Sequence, residues 1–184
     1  MKKKLTIEHK RKNSLDDLID KKCRPITAIM VHRGEDRVYF TFKPINMVYL
    51  KEIDAWNYEG FIEEVLMTPY FDSFNKTGRL IGPGGCEGFA AILENDTVGL
   101  FEFNSDGSTL EIGLALKPSL VGKGLGAKFV REGIEFGIQH YNGKHDEVKL
   151  VVDAQNKAAI RVYEKVGFTT INQSEDEIEM SLVL

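Results

Sequence analysis

Between residues 88 and 116 three apolar runs follow one another with only short polar turns between them, and this spacing restricts the fold more than any other feature. The runs cover residues 88–93, 97–103 and 109–116, with Glu94, Asn95 and Asp96 in the first turn and Ser105, Asp106 and Gly107 in the second. A parallel crossover consumes about a dozen residues or more, so connections this short force neighbouring strands to run antiparallel. Pro118 closes the meander, and a glycine-rich turn leads into a helical pattern over residues 124–141. There Leu125, Phe129, Gly133 and Phe136 form one stripe, widened by Val130, Ile134 and Ile138. The continuous apolar run at 148–153 predicts a strand covered on both faces. A second helix follows over 157–166, which Gly167 can stop in a left-handed conformation while Phe168 folds back on the last turn. The last strand is expected at 177–184, with another starting at Phe168.

Upstream, residues 38–45 are rich in β-branched and aromatic side chains and end near Pro44, which suits a first strand. Residues 46–67 read as one or two helices carrying Val48, Leu50, Ile53, Trp56, Phe61, Ile62, Val65 and Leu66 on their apolar positions. Thr68 and Pro69 break that pattern, and the glycines of 71–85 predict a loop. The chain therefore reads as an α/β domain over residues 38–184, a mixed and mainly antiparallel sheet flanked by helices, preceded by an extension over 1–37.

Charge supports that division. Residues 1–37 hold eleven Lys and Arg against six acids, although the whole chain carries a net charge of -4. Such an arm could contact nucleic acid or an acidic partner, or simply be solvated. The start Met1-Lys2-Lys3-Lys4 is followed by polar residues rather than an apolar core, and no run reaches the roughly 18 apolar residues of a membrane helix, so a cytoplasmic location is expected. Cys23 and Cys86 have no metal or redox spacing, and His9, His32, His140 and His145 are scattered, so no metal is expected.

The chemistry begins at the junction of meander and helix. Gly122, Gly124 and Gly126 let backbone N–H groups converge without obstructing side chains, and the helix beginning there adds unpaired donors and its positive dipole end. Helix starts ordinarily attract acids. Here residues 112–131 contain none and carry Lys117, Lys123 and Lys128, as a site kept open for an external anion should. The phosphate-loop pattern of nucleotide triphosphatases is absent, and an antiparallel meander precedes these glycines where a dinucleotide fingerprint requires a parallel unit. A tight structural turn remains the alternative for this stretch alone.

About thirty residues on, Asn156 stands at a helix cap position with Tyr163 two turns along on nearly the same face. Taken together, the two segments resemble the GCN5-related N-acetyltransferase (GNAT) superfamily. The pyrophosphate loop of that family, Arg/Gln-x-x-Gly-x-Gly/Ala, matches Val121 to Gly126 except at Val121, and the later motif matches Asn156, Ala159, Tyr163, Gly167 and Phe168. The departure at Val121 removes a side-chain contribution and leaves the pyrophosphate to backbone amides.

The resemblance implies an N-acyltransferase that moves an acetyl group from acetyl-CoA to a primary amine of a small molecule or protein in a ternary complex. Backbone groups of Leu114, Ala115 and Leu116 would pair with the pantetheine arm in a gap between the third meander strand and the 148–153 strand. Val121, Gly122, Lys123, Gly124, Leu125, Gly126 and Ala127 would hold the pyrophosphate, with Asn156 and Tyr163 beside the cofactor. Tyr163 matches the position of the general acid, and Glu111, on an open face with Gly113 and Ala115, is the first candidate for the base, with Glu102 second. Acceptor selection falls to residues 46–85, where Trp56, Tyr58, Phe61, Tyr70, Phe71 and Phe74 accompany Glu52, Glu59, Glu63 and Glu64; the same residues also suit an amphipathic helix with a solvated face. The expected partners are acetyl-CoA and the amine, with no membrane; nucleic acid is disfavoured, and a homodimer is admitted. The competing reading is a non-catalytic acyl-CoA-binding regulatory module of the same fold.

Overall fold

The computed structural model describes residues 39–58 and 65–184. The basic segment 1–37, with Cys23, His9 and His32, lies outside the described residues, as do Val38, Glu59, Phe61, Ile62, Glu63 and Glu64 of the other expectations.

Among the described residues seven strands form one sheet. In chain order they are β1 (Thr41–Pro44), β2 (Glu87–Leu93), β3 (Asp96–Asp106), β4 (Thr109–Leu116), β5 (Glu147–Asp153), β6 (Thr169–Gln173) and β7 (Glu177–Val183). Their spatial order is β1-β2-β3-β4-β5-β7-β6. All neighbours run antiparallel except β4 and β5. The meander is thus as its spacing demands: Glu94 and Asn95, at φ 50 and 72, make a two-residue turn between β2 and β3. Pro44 ends the edge strand β1, where its missing N–H costs no ladder bond.

Among the described residues four helices cover the sheet: α1 (Met47–Asp54), α2 (Thr68–Thr77), α3 (Gly126–His140) and α4 (Lys157–Val166). Alternation along the strands divides the packing between the two faces. Phe101, Phe103, Leu110, Ile112, Val148, Leu150 and Val152 point toward α3 and α4, meeting Phe129, Val130, Ile134, Ile160 and Tyr163. Leu100, with Ala115 at its border, faces α1 and α2, meeting Leu50, Ile53, Met67 and Tyr70.

The first helical region departs from expectation. Asn46 caps α1 by accepting from the Val48 and Tyr49 amides at 2.9 and 3.0 Å, and that helix ends at Asp54; a second helix before Met67 would fall largely on residues 59–64, outside the described residues. The supposed break at Thr68 and Pro69 instead opens α2, and the loop expected from residue 71 is helical through Thr77. Proline in a first turn forfeits only an N–H that would be unpaired there, so it starts a helix as readily as it stops one. Gly78, at φ 72, closes α2 in the left-handed conformation. Farther on, α3 starts at Gly126 rather than Gly124, because Gly124 stands at φ 81 and cannot continue a right-handed helix.

Candidate active site

β4 and β5 pair over three rungs only, Thr109 with Glu147, Leu110 with Val148 and Glu111 with Lys149. Beyond them β4 continues to Leu116 and β5 to Asp153 without pairing to each other, while β5 stays fully paired with β7. The sheet therefore opens between its two parallel strands. The Lys117 amide donates to Val98 O on β3 at 2.8 Å, so strand alternation turns the N–H and C=O of Leu114 and Leu116 into the gap. The same alternation turns the backbone of Ala115 toward Leu100 on β3, which corrects its inclusion among the backbone groups facing the gap. Tyr58, half-buried, already donates its hydroxyl to Leu116 O at 2.8 Å, and burial pushes its phenol up to about 12.

The glycine turn sits past the end of β4. A turn of 3-10 helix, Pro118–Leu120, leads into it, with the Lys123 amide donating to Leu120 O at 3.3 Å. Gly122 and Gly124 stand at φ 76 and 81, with no atom within 4 Å of where a β-carbon would be. Among the described residues no backbone or side-chain acceptor takes the amides of Gly124, Leu125, Gly126, Ala127 or Lys128, and α3 has neither a capping side chain nor an acid in its first turn. Open donors converging beside a positive dipole end fit a pyrophosphate. Of the three lysines nearby, Lys117 pairs with Asp96 and Lys128 with Glu132, both at 2.9 Å, so Lys123 alone has no acidic partner among the described residues. The Val121 side chain is exposed.

On α4, Asn156 Oδ1 accepts from the Ala159 amide at 3.1 Å, the capping role its spacing predicts. Tyr163 is buried against Phe168 with ring centroids 5.9 Å apart. Burial pushes its phenol up to about 12, and its hydroxyl is bonded to no described residue. Such a group stays protonated at neutral pH and is free to donate.

Both candidate carboxylates line one cleft of about 440 Å³, which takes in Ile112 and Gly113 of β4 and Leu150 and Val151 of β5, the first residues past the last paired rung. Their surroundings differ. Glu111 is exposed and accepts from Asn104 Nδ2 at 3.1 Å. Glu102 is held deeper, where burial raises its carboxyl above the ordinary range and the Tyr70 hydrogen bond at 2.8 Å pulls it partway back. Cys86 also lines the cleft; burial first and Glu102 second push its thiol up to about 12, which is the opposite of an activated nucleophile.

The aromatic residues of the acceptor region separate into two sets. Trp56 and Phe71 pack against the α1–α2 core and Tyr70 is part of it, whereas Tyr58 reaches the gap. Sequence reading marked Tyr70 only as one aromatic among several; the signal that it bonds a carboxylate, glycines at 88 and 113, becomes readable once the strand register is known.

A family model described as the acetyltransferase (GNAT) family matches residues 49–168. The chain belongs to that family. It is a GNAT-type acyl-CoA-dependent N-acyltransferase. Among solved structures it is similar to a spermidine N-acetyltransferase SpeG chimera from Vibrio cholerae and hSSAT, at 20% identity and TM-score 0.61, covering 78% of this chain and 95% of that one. It is also similar to the N-acetyltransferase PseH of Campylobacter jejuni, solved with acetyl coenzyme A, at 20% identity and TM-score 0.60 over 79% of this chain and 99% of that one. At these identities the likeness is one of fold. No curated protein gives a significant match. No group of three metal-ligating side chains occurs among the described residues, and no described helix is long and apolar enough to cross a membrane.

Proposed function

We propose that this GNAT-family chain transfers an acetyl group from acetyl-CoA directly to a primary amine bound beside the β4–β5 gap. The observation that carries the reading is the opening of the sheet between those strands, flanked at one end by a turn of unpaired amides and at its root by a half-buried carboxylate. The turn from Val121 to Ala127 binds pyrophosphate through backbone N–H groups with Lys123 alongside, and Leu114 and Leu116 offer main-chain groups to the amide-bearing arm. Because Tyr58 holds the Leu116 carbonyl, the arm has either to share that oxygen or to displace the phenol.

Glu102 is the base in this reading, with Glu111 at the rim of the same cleft. A carboxylate raised by burial is a better proton acceptor than an exposed one, and the amine has to lose a proton for its lone pair to attack the thioester carbonyl. As the new C–N bond forms and the C–S bond breaks, the departing thiolate takes the proton of the Tyr163 phenol, and the amine's proton goes to Glu102 directly or through one water. No covalent enzyme intermediate is needed, which suits the raised thiol of Cys86.

Calorimetric titration with acetyl-CoA, followed by thiol release over a panel of primary amines, tests the reading. Binding with turnover on at least one amine supports it. Absence of acetyl-CoA binding overturns it, and binding without turnover on any amine would leave a regulatory acyl-CoA-binding module.

A further inference from the structure

Glu102 stands in a row across three strands whose other two members are glycines. Gly88 of β2 pairs with Glu102, and Glu102 pairs with Gly113 of β4. Neither cross-strand neighbour has a side chain, so the carboxylate has room on both sides, and the structure fills the two spaces differently. Over Gly88 lies the Tyr70 hydroxyl, 2.3 Å from where a β-carbon of residue 88 would be. Over Gly113 lies Glu102 Oε2, 2.8 Å from the corresponding point on β4.

Tyr70 comes from α2 and is fully buried among Leu50, Ile53, Met67 and Leu100. Phenylalanine would serve such a cluster as well, and a buried hydroxyl costs stability unless it is bonded. This one donates to Glu102 Oε1 at 2.8 Å and passes Cys86 Sγ at 3.9 Å. Two glycines make way for it: a β-carbon on Gly82 would come within 2.6 Å of the Tyr70 ring and hydroxyl, as one on Gly88 would within 2.3 Å.

We infer that Tyr70 is the positioning residue for Glu102, its hydroxyl anchoring Oε1 over β2 so that Oε2 is presented over Gly113 at the cleft beside the β4–β5 gap. The inference rests on the reading of Glu102 as base. It assigns α2 a part in the reaction: the helix delivers one hydrogen bond that fixes both the direction and the basicity of the carboxylate.

Among the described residues the charged and titratable groups that face Glu102 are few. Tyr70 approaches from α2 and Cys86 from the turn before β2, while Glu111 of β4, Lys149 of β5 and Glu179 of β7 line the same cleft. Lys149 is paired with Glu147 at 3.2 Å, so among the described residues the hydrogen bonds that draw the Glu102 carboxyl down come from Tyr70 first and the Cys86 thiol second. Removing the Tyr70 donor while keeping the ring leaves the carboxylate desolvated with only the weaker thiol donor beside it, so it holds its proton to higher pH.

The test compares kcat/KM profiles of the full chain, wild type, Tyr70→Phe, Glu102→Gln and Glu102→Asp, and follows the side-chain carboxyl carbon of Glu102 by NMR titration. Tyr70→Phe should move the acid limb and the Glu102 titration upward together by about one to two pH units, the size expected for losing a hydrogen bond to a charged group, with KM for acetyl-CoA unchanged. Glu102→Asp, too short to reach both anchor and cleft, should lose rate with Tyr70 intact, and adding Tyr70→Phe to it should cost little more. An unmoved limb and unmoved titration in Tyr70→Phe would reduce Tyr70 to a core residue and overturn the inference. A limb that survives in Glu102→Gln would instead remove the base assignment, and the inference with it. If Tyr70→Phe does not fold, the non-additivity expected of Glu102→Asp is replaced by a comparison of its limb with wild type, and an unchanged limb again overturns the inference.

Discussion

Thr109 of β4 donates its hydroxyl to Glu147 of β5 at 2.8 Å, on the first of the three rungs that hold the two parallel strands together. The same carboxylate accepts from Ser181 of β7 at 3.0 Å and pairs with Lys149 at 3.2 Å. One side chain thus ties three strands at the closed end of the gap. The Thr109 bond first, then Ser181, hold the Glu147 carboxyl below the usual glutamate range. A depressed folded value means stability that is present above the unfolded value of about 4.3 and lost as pH falls through the folded one. Melting curves of wild type and Glu147→Gln should therefore separate at neutral pH, wild type the more stable, and converge in acid; parallel curves from pH 3 to 7 would remove this role.

Gly133 of α3 should tolerate no side chain. A β-carbon there would lie 2.1 Å from Phe101 Cε2, and both residues are enclosed between helix and sheet. Gly133→Ala improves helix propensity by about 1 kcal/mol, but overpacking a rigid core costs about 1–3 kcal/mol, so the net should be destabilising. A fall in Tm of a few degrees is expected, at about 2–4 °C per kcal/mol for a chain of this size, and a raised Tm would contradict the packing.

Much of this architecture was legible because it depends on local constraints. The meander follows from turns too short for a crossover, α4 runs over the expected residues, and Gly124 had only to be recognised as a left-handed position to place the start of α3. α2 was not legible, since Pro69 has the same identity whether it ends one helix or begins the next. At the site, the open turn could be seen in an acid-free stretch, but two of its three lysines prove to be engaged by Asp96 and Glu132, the first partner lying on a different strand. The ranking of Glu111 above Glu102 came from the open face of one strand. What distinguishes the two carboxylates is the burial of Glu102 beneath α2, whose Tyr70 lies thirty-two residues away in sequence, and no single-strand pattern contains that information.

Val121 offers a gain-of-function test of the pyrophosphate reading. Its side chain is exposed beside a turn whose anion contacts, as proposed, come from backbone amides and Lys123. Val121→Arg adds a guanidinium that can bond phosphate oxygens in pairs, so acetyl-CoA should bind about tenfold more tightly, with a gain that shrinks as salt rises. Calorimetry at two ionic strengths checks both parts. Unchanged affinity would mean that the anion does not sit at this turn.

Tyr163 should act through its proton. Burial keeps the phenol protonated up to about 12, so the rate should show no descending limb from this residue across the workable alkaline range. Tyr163→Phe keeps the ring and its edge contact with Phe168, so acetyl-CoA affinity and Tm should change little. The loss should fall on kcat, by about 10²–10⁴-fold if the phenol is the sole acid for the departing thiolate. An acyl donor whose thiol is already acidic needs less protonation to leave, so the defect should narrow with such a donor. An equal defect with both donors would reassign Tyr163 to placing the thioester rather than protonating it.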